Sequence, residues 1–285
     1  MNIAVTGGAG RVGEVVCAHA AARGHTPIAV DSDLQRLLRV GSGAELRRAD
    51  VCDLGQVTAA LDGAEAVIHL AAITHPRWDS APEVYGRNTR MTMNVFEAAR
   101  LLGIGRVAQA SSESTLGFSF AYRRHGPDWY PITEEHPLRP QDGYGLSKLA
   151  AEQIAQAYQR RCEIDSVSFR FCRIIYADAW ETVVSPLRPA TGSGAHQLWS
   201  YVAVEDAADA LLAAIEAPLR GTHAVYATAP DTYMDEPTAE LMAAHYPEAT
   251  LRGGPHPANV AVISSQRAMD LLGWQAGVNW RSRLK

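Results

Sequence analysis

The sequence is poor in cysteine, and its cysteines form no recognisable pair. None of the four lies in a CxxC spacing, and each stands within an apolar run: Cys17, Cys52, Cys162 and Cys172. Buried, reduced thiols are therefore a better prediction than disulfides, and no metal site is expected.

A long apolar run and a large excess of charge of one sign are also missing. No apolar stretch reaches the roughly 18 residues that a membrane helix needs. The chain begins MNIAVTGG, and a strand from residue 2 leaves no room for a signal peptide. The formal charge is −5, from 26 basic and 31 acidic residues. We therefore expect a soluble, cytoplasmic protein with neither a nucleic acid nor a membrane as partner.

The sequence does contain a regular alternation of strand and helix patterns in its first 170 residues. Apolar runs bounded by turns predict strands at 2–8, 26–31, 45–50, 64–72, 106–112 and 165–171, and helical patterns occupy 12–24, 33–40, 54–63, 83–103 and 145–162. Such alternation implies right-handed crossovers and a parallel sheet. We predict an α/β fold with a doubly wound, Rossmann-like sheet and a small C-terminal substrate lobe.

The pattern after residue 171 is less regular and suggests two interleaved units. Helices are indicated at 204–217 and 264–274, with a strand at 221–229. The predicted units are a dinucleotide-binding core of residues 1–170, joined by 201–221, and a substrate-binding lobe of 171–200 and 222–285. The loop 117–143 is unusually long, and long ordered loops on α/β scaffolds are often functional.

A glycine-rich turn separates the first strand from the first helix. The stretch TGGAGRVG places Gly7, Gly10 and Gly13 in a GxxGxxG spacing, with Arg11 and Val12 between the last two glycines. Glycines let a backbone approach a pyrophosphate closely, and the following helix N-terminus offers unpaired N–H groups and a positive dipole end. At the first strand–helix junction of a parallel sheet, this turn indicates a dinucleotide site.

Acidic residues end the next two predicted strands. Asp31 is placed to accept hydrogen bonds from adenosine hydroxyls and would repel a 2′-phosphate, which favours NAD over NADP as cofactor. Alternatively, Asp31 caps the helix at 33–40, although Asp33 could take that role. Asp50 and Val51 follow the third strand, where a side chain could meet the adenine.

Tyr144 and Lys148 stand four residues apart at the start of a predicted helix, so both lie on one face. Free tyrosine, with a pKa of about 10, is a poor base at neutral pH, but a nearby ammonium and a positive nicotinamide would favour its phenolate. Lys148 is also placed to hydrogen-bond the nicotinamide ribose. The stretch ASSESTLG at 110–117 supplies hydroxyls that could orient a substrate oxygen. Each feature alone has an ordinary structural explanation, but together, behind a dinucleotide turn, they indicate hydride transfer.

In these motifs the sequence resembles the extended short-chain dehydrogenases/reductases, also called the NAD-dependent epimerase/dehydratase family. The resemblance covers nearly the whole chain. It rests on TGGAGRVG, Asp31, HLAA (69–72), ASSESTLGF (110–118), YGLSK (144–148), WSYVAVEDAADAL (199–211) and LGW (272–274).

This resemblance implies specific roles for several side chains. Tyr144 would be the catalytic acid/base, Lys148 its partner on the ribose, and Ser112 the hydroxyl that orients the substrate. Many members have a third serine or threonine where this chain has Glu113, so Ser114 or Thr115 could be the orienting hydroxyl instead. The remaining implied cofactor contacts are Leu70, Ala71, Ala72 and Asn88.

Within the family, the chain looks most similar to the uronate dehydrogenase branch, which oxidises a sugar-acid hemiacetal to a lactone with NAD. The shared features are HLAAIT, ending at Thr74, SSESTLGF and a short tail. That branch usually has Asn-His where this chain has Glu113-Ser114. Arg173 stands where sugar-nucleotide enzymes have an asparagine; it could bind a carboxylate or phosphate, or pair with Glu113. The predicted substrate contacts are Thr74, Ser112, Glu113, Ser114 and Arg173.

The leading functional prediction is an NAD-dependent oxidoreductase acting on a secondary alcohol or hemiacetal of a small sugar-like or sugar-acid molecule. One alternative is a nucleotide-sugar epimerase or dehydratase with tightly bound NAD, which the short tail disfavours. Another is an NAD-binding sensor without catalysis, which has no need of the Tyr144–Lys148 pair. Helices 83–103 and 145–162 would allow a homodimer if they pair across a two-fold axis.

Overall fold

Strands and helices alternate through residues 1–41, 43–254 and 256–284, which are the residues that the computed structural model describes. The strands are β1 (Asn2–Thr6), β2 (Thr26–Asp31), β3 (Glu45–Arg48), β4 (Ala66–His69), β5 (Arg106–Ala110), β6 (Trp129–Tyr130), β7 (Asp165–Phe171), β8 (Arg173–Ile175), β9 (Tyr201–Ala203), β10 (Thr222–Ala227) and β11 (Thr250–Leu251). The helices are α1 (Arg11–Ala22), α2 (Leu34–Leu37), α3 (Leu54–Leu61), α4 (Ala81–Leu102), α5 (Gly143–Cys162), α6 (Thr191–Gly194), α7 (Val204–Glu216), α8 (Thr238–His245) and α9 (Gln266–Leu272).

Seven of these strands form one parallel sheet in the order β10-β7-β5-β4-β1-β2-β3. The order reverses between β1 and β4, and ligands of such sheets bind at the carboxyl ends of the strands beside this point. Helices α1 and α7 pack on one face, and α3, α4 and α5 pack on the other. The prediction of a doubly wound α/β fold is confirmed.

Strand burial reflects this covering on both faces. All residues of β7 are buried. In β1, Ile3 and Val5 pack with one helical layer whereas Ala4 packs with the other. A strand with no solvent-facing side reads as a continuous apolar run rather than an alternating one. The sequence shows such a run in NIAVT.

Several predicted strands are too long at their carboxyl ends. The strand predicted at 64–72 ends at His69, and the one predicted at 106–112 ends at Ala110. The residues that follow, such as Leu70 and Ser111, leave the sheet but remain partly or fully buried. The sequence pattern therefore does not mark where each strand ends. These residues form the edge at which the site lies.

The two-stranded pairs β8–β9 and β6–β11 lie outside the central sheet, and a separate hydrophobic cluster includes side chains of β6, β8 and β9. Its large members include Trp180, Trp199, Tyr201 and Tyr233. The predicted boundary of this lobe needs correction, because β10, predicted to belong to 222–285 of the lobe, pairs with β7 in the central sheet. Helix α9 packs on β10 as well.

The four cysteines are free thiols. Cys17 and Cys172 are buried, as predicted, whereas Cys52 and Cys162 are only half-buried. Within the part of the chain that the structure describes, no helix combines the length and hydrophobicity of a membrane span. The same residues contain no group of three histidine, cysteine or acidic side chains that could hold a metal ion.

Candidate active site

The turn between β1 and α1 is packed so tightly that two of its positions require glycine. Gly7 has a φ of +71°, and a Cβ there would lie 2.8 Å from the backbone nitrogen of Ala71. A Cβ on Gly13 would overlap the carbonyl oxygen of Gly7. Helix α1 begins at Arg11, and Gly10 before it makes no side-chain cap, so the first N–H groups of the helix are available to an anion.

An open cleft of about 660 Å³ starts at this turn and follows the carboxyl edge of the sheet. All but three of the predicted cofactor residues line it: Gly7, Gly10, Arg11, Val12, Gly13, Asp31, Asp50, Val51, Leu70, Ala71 and Ala72. Thr74, predicted as a substrate contact, lines the same cleft. We call this the cofactor cleft. The three predicted cofactor residues outside its lining are Asn88, Tyr144 and Lys148.

Asp31 lies in the wall of the cofactor cleft, while Asp33 caps the next helix. The Asp33 carboxylate accepts hydrogen bonds from the N–H groups of Gln35 and Arg36 at 3.0 and 3.1 Å. The capping role that the sequence left open therefore belongs to Asp33. Asp31 accepts one hydrogen bond, from the Asp33 N–H at 3.1 Å. Arg36 and Arg39 line the same cleft.

Tyr176, which the sequence analysis missed, also lines the cofactor cleft. The guanidinium of Arg11 lies 3.8 Å from the centre of the Tyr176 ring and forms an ion pair with Asp178. This contact ties the glycine turn to the segment after β8. The available sequence signal was its position: Tyr176 follows the sixth predicted strand, in the same segment as Arg173, which replaces the asparagine of sugar-nucleotide enzymes.

Tyr144 lies in the first turn of α5, and Asp142 fixes that turn. Asp142 Oδ1 accepts hydrogen bonds from the N–H groups of Tyr144 and Gly145, both at 2.9 Å. The Tyr144 side chain is buried, and its ring packs edge-on against Phe120 with the centroids 6.1 Å apart. Burial raises the pKa of Tyr144, and a hydrogen bond with the Ser112 hydroxyl acts in the opposite direction.

Lys148 lies one helical turn after Tyr144 and is also buried. Its Nζ is 5.7 Å from the centre of the Tyr144 ring and donates a hydrogen bond to the Ala110 carbonyl oxygen at 2.6 Å. Burial lowers the pKa of Lys148 to about 8, so the amine remains largely protonated at neutral pH. The helix thus places a cation beside the phenol.

Of the three candidate hydroxyls, that of Ser112 is the one that acts on the Tyr144 phenol and lowers its pKa. The Ser114 hydroxyl donates to Ser112 Oγ at 2.9 Å, and the Thr115 hydroxyl donates to the Ser112 carbonyl oxygen at 2.8 Å. Both residues are fully or almost fully buried. Ser114, predicted as a substrate contact, therefore orients Ser112 and has almost no exposed surface of its own.

Asn88 lies behind the wall of the cofactor cleft. Its side chain accepts a hydrogen bond from the Ile73 N–H at 2.8 Å and donates to the Ile73 carbonyl oxygen at 3.0 Å and to Ser147 Oγ at 3.1 Å. The amide therefore joins the segment after β4 to helix α5. Asn88 positions both elements and is not itself part of the lining.

Glu113 follows Ser112 and is 5% exposed. Its Oε1 accepts a hydrogen bond from the Ser119 hydroxyl at 2.7 Å. Burial raises the pKa of Glu113 to about 7; the Ser119 hydrogen bond and the charge of Arg173 lower it, and Asp142 raises it further. A carboxyl group that titrates near neutrality therefore lies next to the orienting serine.

Arg173 lies on β8 and is directed at Gln197. Its Nε donates to Gln197 Oε1 at 2.7 Å, and its Nη2 contacts the same oxygen. Within the described part of the chain it forms no ion pair with Glu113, although its charge acts on Glu113 and on His196. Of the two arrangements that the sequence left open, the pairing with Glu113 is not formed.

A second cleft, of about 850 Å³, opens between the long loop and the smaller lobe. Its walls come mainly from residues 118–122 and 124–128 of the long loop and from the 192–196 and 245–249 segments. Ser119, which donates to Glu113, and Phe120, which packs on Tyr144, lie in its lining. We call this the outer cleft. Through these two residues the outer cleft adjoins Glu113 and Tyr144.

Comparison with known protein families gives a match over most of the chain. Residues 3–228 match the model of the NAD dependent epimerase/dehydratase family. A UDP-glucose 4-epimerase of Corynebacterium glutamicum is 26% identical over 313 aligned positions, which cover 96% of this chain and 90% of that protein. A uronate dehydrogenase of Pseudomonas putida is 31% identical over 170 positions, 59% of each chain.

A third curated relative is an NAD-dependent glucose-6-phosphate dehydrogenase of Haloferax volcanii, 32% identical over 184 positions. That alignment covers 59% of this chain and 66% of the relative, so this chain matches less than two thirds of either dehydrogenase. The epimerase alignment, in contrast, runs through nearly the whole length of both proteins.

Solved structures share the fold over nearly the full length. A short-chain dehydrogenase/reductase superfamily protein from Agrobacterium tumefaciens with bound NAD has a TM-score of 0.75 at 23% identity and covers 100% of this chain and 95% of its own. MoeE5 in complex with UDP-glucuronic acid and NAD has a TM-score of 0.72 at 22% identity, with 99% and 96% covered. At these identities the likeness concerns the fold alone.

Proposed function

The chain belongs to the NAD dependent epimerase/dehydratase family, and on this basis we propose that it is an NAD-dependent dehydrogenase of a small sugar-like or sugar-acid substrate. The observation that carries the proposal is the buried Tyr144, whose pKa the Ser112 hydroxyl lowers and which lies one helical turn from the Lys148 ammonium. A protein that only binds NAD does not need Tyr144 and Lys148 together. Burying both side chains costs free energy, which catalysis would justify and binding alone would not.

The shape and the polar groups of the cofactor cleft suit NAD. Gly7 and Gly13 leave room that a Cβ would fill, and the open first turn of α1 can receive a pyrophosphate. Asp31 offers a carboxylate for the adenosine hydroxyls. NAD, when bound, accepts the hydride that leaves the substrate carbon.

The chain's own residues then handle the substrate hydroxyl and its proton. Ser112 holds the reacting oxygen, and Tyr144 takes the hydroxyl proton as the carbon is oxidised. Tyr144 must lose its own proton first, which burial opposes. The Lys148 ammonium, 5.7 Å from the centre of the ring, favours the phenolate and so acts against the effect of burial.

The substrate would enter through the outer cleft, whose lining includes Ser119 and Phe120, the neighbours of Glu113 and Tyr144. Glu113 and Arg173 are the proposed recognition groups beside it, a carboxyl and a guanidinium near enough for the charge of one to affect the other. Thr74 is placed in the cofactor cleft and would meet the substrate only where the two ligands adjoin.

The second candidate function is a nucleotide-sugar epimerase, in which the same residues remove and return the proton while NAD stays bound. The near full-length alignment with UDP-glucose 4-epimerase favours it. The volume of the outer cleft, about 850 Å³, is within the usual range for drug-sized and larger ligands and does not oppose it.

One experiment separates these functions. Purified protein is mixed with NAD⁺ and uronates, aldoses, polyols or nucleotide sugars, and absorbance is followed at the NADH band. We expect NADH to accumulate with one class of free sugar. If no NADH forms, NAD copurifies with the protein, and UDP-glucose is converted to its 4-epimer, the dehydrogenase proposal is wrong and the epimerase proposal is supported.

A further inference from the structure

The outer cleft contains a guanidinium without a carboxylate partner. Arg124 lies in its lining, on the long loop, and its side chain is exposed to solvent. Among the described residues, no acidic side chain forms an ion pair with it. Its charge nevertheless acts on His196 and Tyr246, both on the smaller lobe. Since Arg124, His196 and Tyr246 all line the outer cleft, Arg124 faces the lobe across it.

His196 connects Arg124 with a second guanidinium. Desolvation lowers the pKa of His196, and the charges of Arg173 and Arg124 lower it further. Both cations are therefore close enough to act on one imidazole in the wall of the cleft. An anion bound beside this imidazole would be attracted by both charges.

The carboxylates in the lining of the outer cleft are engaged elsewhere or lie at its rim. Asp128 accepts two hydrogen bonds from Arg139, at 2.8 and 2.7 Å. Asp142 caps helix α5. Glu248 is exposed. None of these groups neutralises Arg124.

We propose that Arg124 and His196 bind an anionic group of the substrate, a carboxylate or a phosphate, in the outer cleft. Guanidinium forms paired, charge-assisted hydrogen bonds with either group, and the charge of Arg173, which acts on His196, adds positive potential. The proposal rests on the proposed function and narrows it, because a neutral sugar would leave this site unpaired. Acidic sugars are therefore preferred to neutral sugars of the same size.

The test compares matched sugars in matched variants. Glucuronate and galacturonate carry a carboxylate, glucose 6-phosphate a phosphate, and UDP-glucose a diphosphate, whereas glucose and L-arabinose are neutral. Arg124→Ala should raise KM for the preferred anionic sugar by about 10- to 100-fold with little change in kcat. Arg123→Ala is the control, because this neighbouring side chain is exposed but does not line the cleft. Equal effects of the two substitutions would contradict the proposal.

Direct binding separates failure of this site from failure of the proposed function. The full-length Tyr144→Phe variant, saturated with NAD⁺, is titrated with glucuronate, glucose 6-phosphate, UDP-glucose and glucose by calorimetry, with and without Arg124→Ala. Arg124-dependent binding of an anionic sugar supports the site even if the wild-type protein makes no NADH. If NADH forms equally well with neutral and anionic sugars, the dehydrogenase proposal stands and the anion-site proposal is wrong. Absence of any Arg124-dependent binding rejects it as well.

Discussion

Lys148 donates a hydrogen bond to the carbonyl oxygen of Ala110, the last residue of β5, at 2.6 Å. The acceptor is neutral, so it orients the ammonium without cancelling its charge. Since the same Nζ lies 5.7 Å from the centre of the Tyr144 ring, that charge remains effective at the phenol. The end of a strand thus holds a helix residue in the position that the proposed proton transfer requires.

Tyr144→Phe should lower kcat by roughly 10²- to 10⁴-fold, because the ring remains while the proton acceptor is lost. NAD binding should change little, since Tyr144 does not line the cofactor cleft. Steady-state kinetics and NAD titration measure the two effects. Tyr158→Phe is the control, because this tyrosine lies on the same helix and its hydroxyl donates to Glu97 at 2.7 Å, away from the site. Turnover that survives in Tyr144→Phe would rule out the mechanism.

Asp31→Ala should weaken NAD binding by about 10- to 100-fold and relax the rejection of NADP. NADP should be accepted for two reasons. The repulsion between Asp31 and the 2′-phosphate is lost, and Arg36 and Arg39, which line the same cleft, would attract that phosphate. The ratio of kcat/KM for NAD to that for NADP is the measurement. Asp33→Ala removes the cap of α2 and should cost about 0.5–2 kcal/mol of stability without moving this ratio. An unchanged ratio in Asp31→Ala would mean that Asp31 does not bind the adenosine ribose.

Gly13→Ala should destabilise the glycine turn by about 1–3 kcal/mol and weaken NAD binding, because the added methyl would overlap Gly7 and lie 2.7 Å from Gly8 Cα. Gly86→Ala is a matched control on the exposed face of α4, where a Cβ would meet nothing within 4 Å. That substitution should stabilise the chain by about 0.5–1 kcal/mol. Urea unfolding measures both, and similar shifts in the two variants would contradict the packing argument.

The sequence predicts the sheet and the cofactor cleft because both depend on local patterns. Apolar runs, a glycine turn and strand-end residues such as Asp31 and Leu70 all take their meaning from neighbours in the chain. In a parallel sheet the carboxyl ends of the strands share one edge. Residues that follow different strands therefore meet there, although the sequence alone gives no distance between them.

The outer cleft could not be predicted in this way because its contacts join distant parts of the chain. Phe120 meets Tyr144, and Arg124 faces the lobe that carries His196, only through the path of the long loop. The partner of Arg173 is an uncharged amide, Gln197, where charge alone suggested Glu113. Such choices depend on packing and desolvation, which single residues do not reveal.

The burial of Glu113 predicts how the free energy of unfolding changes with pH. Burial raises its pKa in the folded chain from 4.5 to about 7, so the folded state binds more protons there than the unfolded state between these values. The contribution of Glu113 to stability therefore falls as pH rises through this window. Ser119 and Arg173 favour the charged form without cancelling the cost of burying it, and Asp142 adds to that cost.

Glu113→Gln should consequently be more stable than the parent at pH 8, by about 2 kcal/mol, and nearly equal to it at pH 5. The amide oxygen can still accept the Ser119 hydrogen bond, so shape and contacts are conserved. Urea unfolding at both pH values is the measurement. Glu97→Gln should behave oppositely, because hydrogen bonds from Arg100 and Tyr158 lower the pKa of Glu97 to about 2 and stabilise its charged form. If Glu113→Gln loses stability at pH 8, the buried carboxylate must have a stronger ionic partner than the structure shows.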